Sequence, residues 1–413
     1  MKKILKINYL LYSIIFFILS IIILLFNEAF YKLVIITLLI ILGLDILKNI
    51  LTWIINKKRS IHSLIINIFM IIFVTIMLNN KNIPYSIFPL LTGIYIVMNG
   101  IIKSILTYTL FIANEKGKIS NIIISLIYYA IGISLMLSPL IHLKAVLIIF
   151  GIYTLALSIS NLIDFYTDTI NKDVKRRIHI CLPTFIDALI PYNYLKKINN
   201  IDETFSINKK NQKPDIEILI HVSEKKNGKM GHVDFIYNDI VYSYGNYDHD
   251  SYKLFETIGD GVLIKSSKKE YIDFCIKDSN KTLFAYGIKL NNKQKEALEE
   301  KINQLKENTY SWKPTTNKNY YAERLSKKTK NKTSFYKFKK GKFKKYFLLN
   351  TNCAYFADKI LNVTGTDILK INGLITPGTY QEYLNKELNK KNGIVISCNI
   401  YNNKSYKNLS LNN

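Results

Sequence analysis

Apolar residues run almost unbroken through the first 165 positions and then thin out. Up to about Phe165 the chain is dominated by Ile, Leu, Phe, Tyr and Val; beyond Lys172 it is rich in Lys, Asn, Asp and Glu. A helix needs about 20 apolar residues to cross a bilayer. Six segments meet that length, at roughly 8–26, 31–55, 61–78, 87–112, 120–138 and 144–166. They predict an α-helical membrane bundle of six transmembrane helices arranged as three hairpin repeats. The repeat is visible in "GIYIVMNGIIKSIL" from Gly93 and "GIYTLALSISNLID" from Gly151, and in "ILKNIL" at Ile46 and "IIKSIL" at Ile101. No small-residue cleavage site stands out after the first segment and five more spans follow, so it reads as a span and not a cleaved signal peptide.

The second half changes period. "IEILIHVS" from Ile216 reads as a strand, and "HVDFIYND" with "IVYSYG" reads as a hairpin turning at Asn238-Asp239. The stretch from Asn292 is an amphipathic helix with Leu298, Ile302 and Leu305 on one face. "TNCAYFADKIL" starts another helix at Cys353, with Phe356 and Ile360 on one stripe and Asp358 and Lys359 pointing away. A late strand begins near Gly393. The organisation expected is a transmembrane domain at 1–170, a linker with an interfacial segment at 171–212, an α+β domain at 213–400 and a disordered tail at 401–413. Pro183 and Pro191 break the interfacial segment into short helical pieces.

Charge adds orientation. The formal net charge is +26. Lys2, Lys3 and Lys6, then Lys57, Lys58 and Arg59, then Lys116 and Lys118, then Lys172, Lys175, Arg176 and Arg177 all fall on one side of a six-span bundle. The positive-inside rule then puts both termini in the cytoplasm, and the expected location is a bacterial inner or plasma membrane. Asp45, Lys48, Asn99 and Lys103 lie in or near spans and read as interface anchors or helix–helix contacts. From Arg324 to Lys345 there are eleven basic residues and no acid, interleaved with Phe335, Tyr336, Phe338 and Phe343. An anionic leaflet is the partner expected for 324–345, ahead of single-stranded nucleic acid; a solvated insertion is the bland alternative. The cysteines Cys181, Cys275, Cys353 and Cys398 form no CxxC pair, which argues against a zinc site and against a dense disulfide framework. No cofactor is expected.

The chemistry rests on Cys353 and His232. A thiolate is the nucleophilic form of cysteine, and a helix N-terminus or a nearby imidazolium favours it. Thr351 and Asn352 are capping residue types that place Cys353 in a first turn. His232, on a core strand, is the candidate base and later acid. "GHVDFIYNDIVYSYGNYD", the helix near Ala297 and "LNTNCAYFADKIL" together resemble, over about 213–385, the circularly permuted papain-like NlpC/P60 superfamily with its lecithin:retinol acyltransferase-like members. The number and style of the hairpins over about 8–166 resemble the HdeD family of six-span bacterial membrane proteins. The first resemblance implies Cys353 as nucleophile and His232 as its partner. It also implies a third polar residue on the next strand, where counting reaches Tyr244, while a two-residue turn instead pairs His232 with Gly245 and puts Ser243 on its face. His221 and His249 read as exposed or structural. The function expected is a membrane-tethered cysteine hydrolase or acyltransferase acting through a thioester on an amide or ester, with acyl, lipid or peptide substrates. The competing reading is a non-enzymatic membrane stress-response or structural protein carrying a degenerate papain-like binding module.

Overall fold

The computed structural model describes residues 2–55, 61–80, 82–169, 190–199, 206–209, 212–223, 229–315, 320–329, 332–365, 375–390 and 393–403. The linker segment at 171–189 and the tail from 404 lie outside these. The chain divides into two compact units, one formed by helices within Tyr9–Ser104 and Ile119–Leu162, the other holding the remainder, the sheet included.

The helical unit contains α1 (Lys2–Ile55), α2 (Ile61–Asn79), α3 (Asn82–Ile112), α4 (Lys118–Leu137) and α5 (Pro139–Thr169). Four of these, α1, α3, α4 and α5, are long and apolar enough to cross a membrane, and α2 holds a shorter apolar run, Ile65–Asn79. The six separate spans expected from sequence are therefore not what is seen. The first two merge into the 54-residue α1, about 80 Å long at 1.5 Å per residue. The physical reason is local: "FNEAFYK" between them is polar but contains no Gly or Pro, and polarity alone does not stop a helix. Side chains such as Leu25, Phe69 and Ile141 point outward, as lipid-facing positions do.

Helices in a bilayer gain little from burying apolar surface against one another, so close approach and polar contacts hold them. A Cβ added at Gly132 of α4 would lie 2.7 Å from Val97 Cγ2 and 2.9 Å from the Gly93 carbonyl oxygen of α3. At Gly151 of α5 it would lie 2.8 Å from Leu24 of α1, and Ser20 Oγ donates to the Gly151 carbonyl at 3.0 Å. The two glycines that open the repeated "GIY" segments thus both mark tight helix crossings. Ser13 and Ser158 add a reciprocal pair, each hydroxyl donating to the other residue's carbonyl at 3.0 and 2.8 Å.

In the other unit the strands form one antiparallel sheet. They are β1 (Ser206–Asn208), β2 (Ile216–Val222), β3 (His232–Tyr237), β4 (Ile240–Asn246), β5 (Ile258–Ser267), β6 (Thr282–Ile288), β7 (Thr309–Trp312), β8 (Thr333–Phe338), β9 (Lys345–Phe347) and β10 (Val395–Tyr401). Their order is β1-β10-β6-β2-β3-β4-β5-β8-β7, with β9 added to β5. The β3–β4 turn is the expected one. Asn238 and Asp239 have φ of 51° and 57°, left-handed values that Asn and Asp tolerate and that match the twist of a two-residue hairpin. Tyr237 then pairs with Ile240, and Asp234 with Ser243.

Alternation along these strands splits the core into two layers. Ile218, Val233, Phe235 and Tyr244 face α8 (Asn292–Glu307), α10 (Cys353–Leu361) and α11 (Pro377–Asn389). Leu219, Ile236, Val241 and Ile264 face α7 (Lys268–Lys277) and α9 (Tyr321–Lys328). A short helix before the sheet, α6 (Ile190–Asn199), sends Leu195 into the first layer. Asp358 is buried rather than pointing away as its stripe predicts, while Lys359 is exposed as expected.

The basic stretch is woven into this sheet. Its residues form part of α9, then β8 and β9, and its aromatics Phe335 and Phe338 are buried in the core. Several of its cations are paired: Lys337 with Asp248 and Asp260, Lys345 with Asp260, Arg324 with Asp278 and Lys332 with Glu270. Of its interleaved aromatics, Phe335 and Phe338 are buried in the two core layers and Tyr336 and Phe343 are partly buried against one of them.

Candidate functional site

Cys353 is the first residue of α10. Asn352 caps that helix, its Oδ1 accepting from the Tyr355 amide at 2.9 Å. The same side chain donates to the Leu348 and Ile375 carbonyls at 2.9 and 2.8 Å, and Thr351 Oγ1 donates to the Lys345 carbonyl at 2.9 Å. These bonds pin the turn leading into the helix, and with it the sulfur. Cys353 is 3% exposed.

His232 begins β3. It follows Gly231, whose φ of +83° only glycine adopts easily, and where a Cβ would lie 3.1 Å from Pro377 and 3.2 Å from the His221 carbonyl. The structure brings His232 and Cys353 near one another: Cys353 is among the side chains whose proximity raises the His232 pKa. Tyr346 lies near the same cysteine.

The other side of the imidazole is crowded. Nε2 lies 2.8 Å from Asp234 Oδ1, 3.1 Å from Ser243 Oγ and 3.0 Å from Tyr247 Oη. Asp234 is fully buried. Its second oxygen lies 2.9 Å from His221 Nε2 and accepts from Tyr271 Oη at 2.7 Å. His221 Nδ1 in turn lies 3.8 Å from Cys275 Sγ. The contacts of Asp234 with the two imidazoles are short, but Oδ1 and His221 Nε2 lack well-aligned hydrogen bonds, so charge rather than direction carries them. The result is a buried row: Cys353, His232, Asp234, His221, Cys275.

Electrostatics give the row a polarity. Burial pushes the His232 imidazolium pKa down, but the charges of Cys353 and Asp234 outweigh it and raise it to about 10. Burial likewise opposes the Asp234 carboxylate, yet the two imidazoles hold its pKa well below the ordinary range. His221 goes the other way. Burial drives it to about 4 against the pull of Asp234, with His232 repelling a second positive charge. One carboxylate supports one imidazolium, and His232, with Cys353 as well as Asp234 raising its pKa, keeps the proton. Burial raises the Cys275 thiol to about 11.

His221 makes acid stability measurable. It takes its proton near 6.5 when unfolded and at about 4 in the fold. Between those values the unfolded chain binds the extra proton, so stability falls as pH drops, by about 3 kcal/mol. The depressed Asp234 acts in the same direction. Thermal melts of the full chain from pH 7 to pH 4 are expected to show this loss, and His221→Phe is expected to flatten part of the slope. An equal slope in the two proteins would contradict the assignment.

The residues singled out from sequence fare differently. Tyr244 is fully buried on the opposite face of β4 from Ser243, stacked on Phe356 with ring centroids 4.8 Å apart. Its hydroxyl donates to the Phe343 carbonyl at 3.1 Å. The groups around the His232 ring are Ser243 and Tyr247, hydrogen-bonded to it, with Asp234 in close contact and Cys353 nearby, not Tyr244. His221, expected to be exposed or structural, is buried against Asp234. His249 stacks on Tyr320 with centroids 3.7 Å apart. Asp234, Tyr247, Tyr271 and Tyr346 were not anticipated. The signal for Asp234 was available: in a strand, residues two apart share a face, so "HVD" sets the carboxylate beside the imidazole. Comparison of the chain with protein-family models, with curated proteins and with solved structures found no match.

Proposed function

We propose that this protein is a membrane-anchored thiol enzyme that cleaves or transfers acyl groups through a thioester on Cys353. The observation that carries the reading is the proximity of Cys353, at a capped helix N-terminus, to His232, which the buried Asp234 contacts at 2.8 Å. His232 keeps its proton through the neutral range, its pKa raised by Cys353 and Asp234 against the cost of burial. An imidazolium beside a cysteine at a helix N-terminus is the setting that promotes thiol nucleophiles.

The reaction follows from these positions. The thiolate attacks the acyl carbon of an ester or amide. Negative charge collects on the carbonyl oxygen, where the Cys353 amide at the helix N-terminus and the Tyr346 hydroxyl are the available donors. His232 gives its proton to the departing alcohol or amine, and the thioester remains. Neutral His232 then takes a proton from water or from an acceptor hydroxyl or amine, which attacks the thioester and restores the thiol. Nε2 is held by Asp234, so Nδ1 serves the sulfur. Asp234 is a positioning residue, with Tyr271 and His221 fixing its second oxygen. The apolar helices supply the membrane anchor, and the lysine-rich loops favour a sheet domain on the cytoplasmic side of a bacterial membrane.

Thiol reactivity tests the reading. Membranes holding the full chain are treated with iodoacetamide at pH 7, and each cysteine peptide is followed by mass spectrometry. Burial holds Cys275 and Cys398 protonated, at about 11 and about 12. Cys353 is expected to react at least about tenfold faster than either. Equal rates at the three sites would overturn the proposal.

A further inference from the structure

A cleft of about 380 Å³ opens on His232. It lies at one end of the sheet, where β2 ends at Val222, β3 starts at His232, β4 ends at Asn246 and β6 starts at Thr282. Tyr346, which lies near Cys353, is part of its wall, as is Leu348 from the turn before α10. Tyr247, Tyr252 and Tyr321 line it as well.

One lysine enters this wall. Lys281 stands directly before β6, its amide donating to the Cys275 carbonyl at 3.0 Å. Its ammonium lies 4.6 Å over the Tyr321 ring. No carboxylate pairs with it among the described residues, although Glu256 lines the same cleft. Of the partly buried lysines elsewhere on the sheet, Lys268 pairs with Glu217 and Lys337 with Asp248 and Asp260, while Lys265 lies over the Tyr242 and Tyr336 rings. The charge of Lys281 reaches His221 and Cys275, where it opposes positive charge on the one and favours the thiolate of the other. A half-buried ammonium held on an aromatic face, and not neutralised by an acid, is available to a ligand.

We infer that the cleft selects acyl substrates bearing a negative charge, carboxylate or phosphate, with Lys281 pairing to that charge and the tyrosine walls holding the apolar part. This rests on the acyl chemistry proposed for Cys353. The selectivity determines which esters or amides reach the thiol, and neutral acyl compounds of the same size are the disfavoured class.

The test compares two alkylating reagents of nearly equal size, anionic iodoacetate and neutral iodoacetamide, on the full chain in membranes. The readout is the ratio of their rates at Cys353, which cancels any general loss of folding. Lys281→Met is expected to lower the iodoacetate-to-iodoacetamide ratio by about fivefold or more, and Lys281→Arg to restore most of it. Protection by butyrate or by butyl phosphate then tells which anion the site prefers, and that protection is expected to vanish in Lys281→Met. If Cys353 reacts readily with iodoacetamide but the ratio is the same in all three proteins, the Lys281 inference is overturned and the thiol chemistry stands. If Cys353 reacts no faster than Cys275 with either reagent, the acyl-enzyme reading fails and the anion selectivity falls with it.

Discussion

Replacing His232 by alanine is expected to lower Cys353-dependent acyl turnover by about two to four orders of magnitude, the usual worth of a positioned acid–base group. The imidazole lies near Cys353 and, through Nε2, contacts the buried carboxylate at 2.8 Å. Without it, thiolate formation loses its counter-charge and the leaving group loses its proton donor. The side chain is 19% exposed and begins its strand, but its loss leaves the buried Asp234 without its imidazolium, so a lower melting temperature is expected and turnover is compared at a temperature where both proteins remain folded. Tyr244→Phe is the contrast. Its hydroxyl is spent on a backbone carbonyl, and its removal is expected to cost less than tenfold in rate. Turnover of an activated acyl ester in membranes measures both. A His232→Ala protein within threefold of the parent would contradict the assignment.

Asp234 carries the second large effect. It is buried between two imidazoles and a tyrosine hydroxyl. Breaking a buried charge pair by deleting one partner costs about 3–5 kcal/mol, so Asp234→Ala is expected to lower the stability of the sheet domain by that order. Asp234→Asn separates charge from volume. It removes the Asp234 charge that helps raise the His232 pKa, so the imidazolium, lost at about pH 10 in the parent, is lost at lower pH. The alkaline limb of the pH–rate profile for Cys353 alkylation is expected to move down accordingly. A purely structural carboxylate would leave that limb in place while still lowering the melting temperature.

The two halves of the chain were legible to different depths. The β3–β4 hairpin was readable because Asn-Asp between alternating apolar runs specifies a left-handed two-residue turn. The α10 start was readable because Thr351-Asn352 is a cap before an apolar stripe, and Asn352 indeed caps it. Asp234 was harder. An acid among apolar neighbours on a strand signals burial only when its partners are known, and Tyr271 comes from a helix 37 residues along the chain. The basic stretch was legible in part: its charge density showed in the sequence, while the burial of Phe335 and Phe338 within the sheet did not, because it depends on partners far along the chain. In the apolar half, composition identified helices but not their ends, because "FNEAFYK" carries polarity without a helix breaker.

The central claim is an acyl-enzyme on Cys353, and trapping it is the most direct measurement. Membranes containing the full chain are incubated with a nitrophenyl acyl ester, quenched in acid and digested, and every cysteine peptide is weighed. The expected result is an acyl adduct at Cys353 that hydroxylamine removes, absent in Cys353→Ala and strongly reduced in His232→Ala. An adduct formed equally at Cys275 or Cys398, or one at Cys353 that forms at the same rate without His232, would contradict the account.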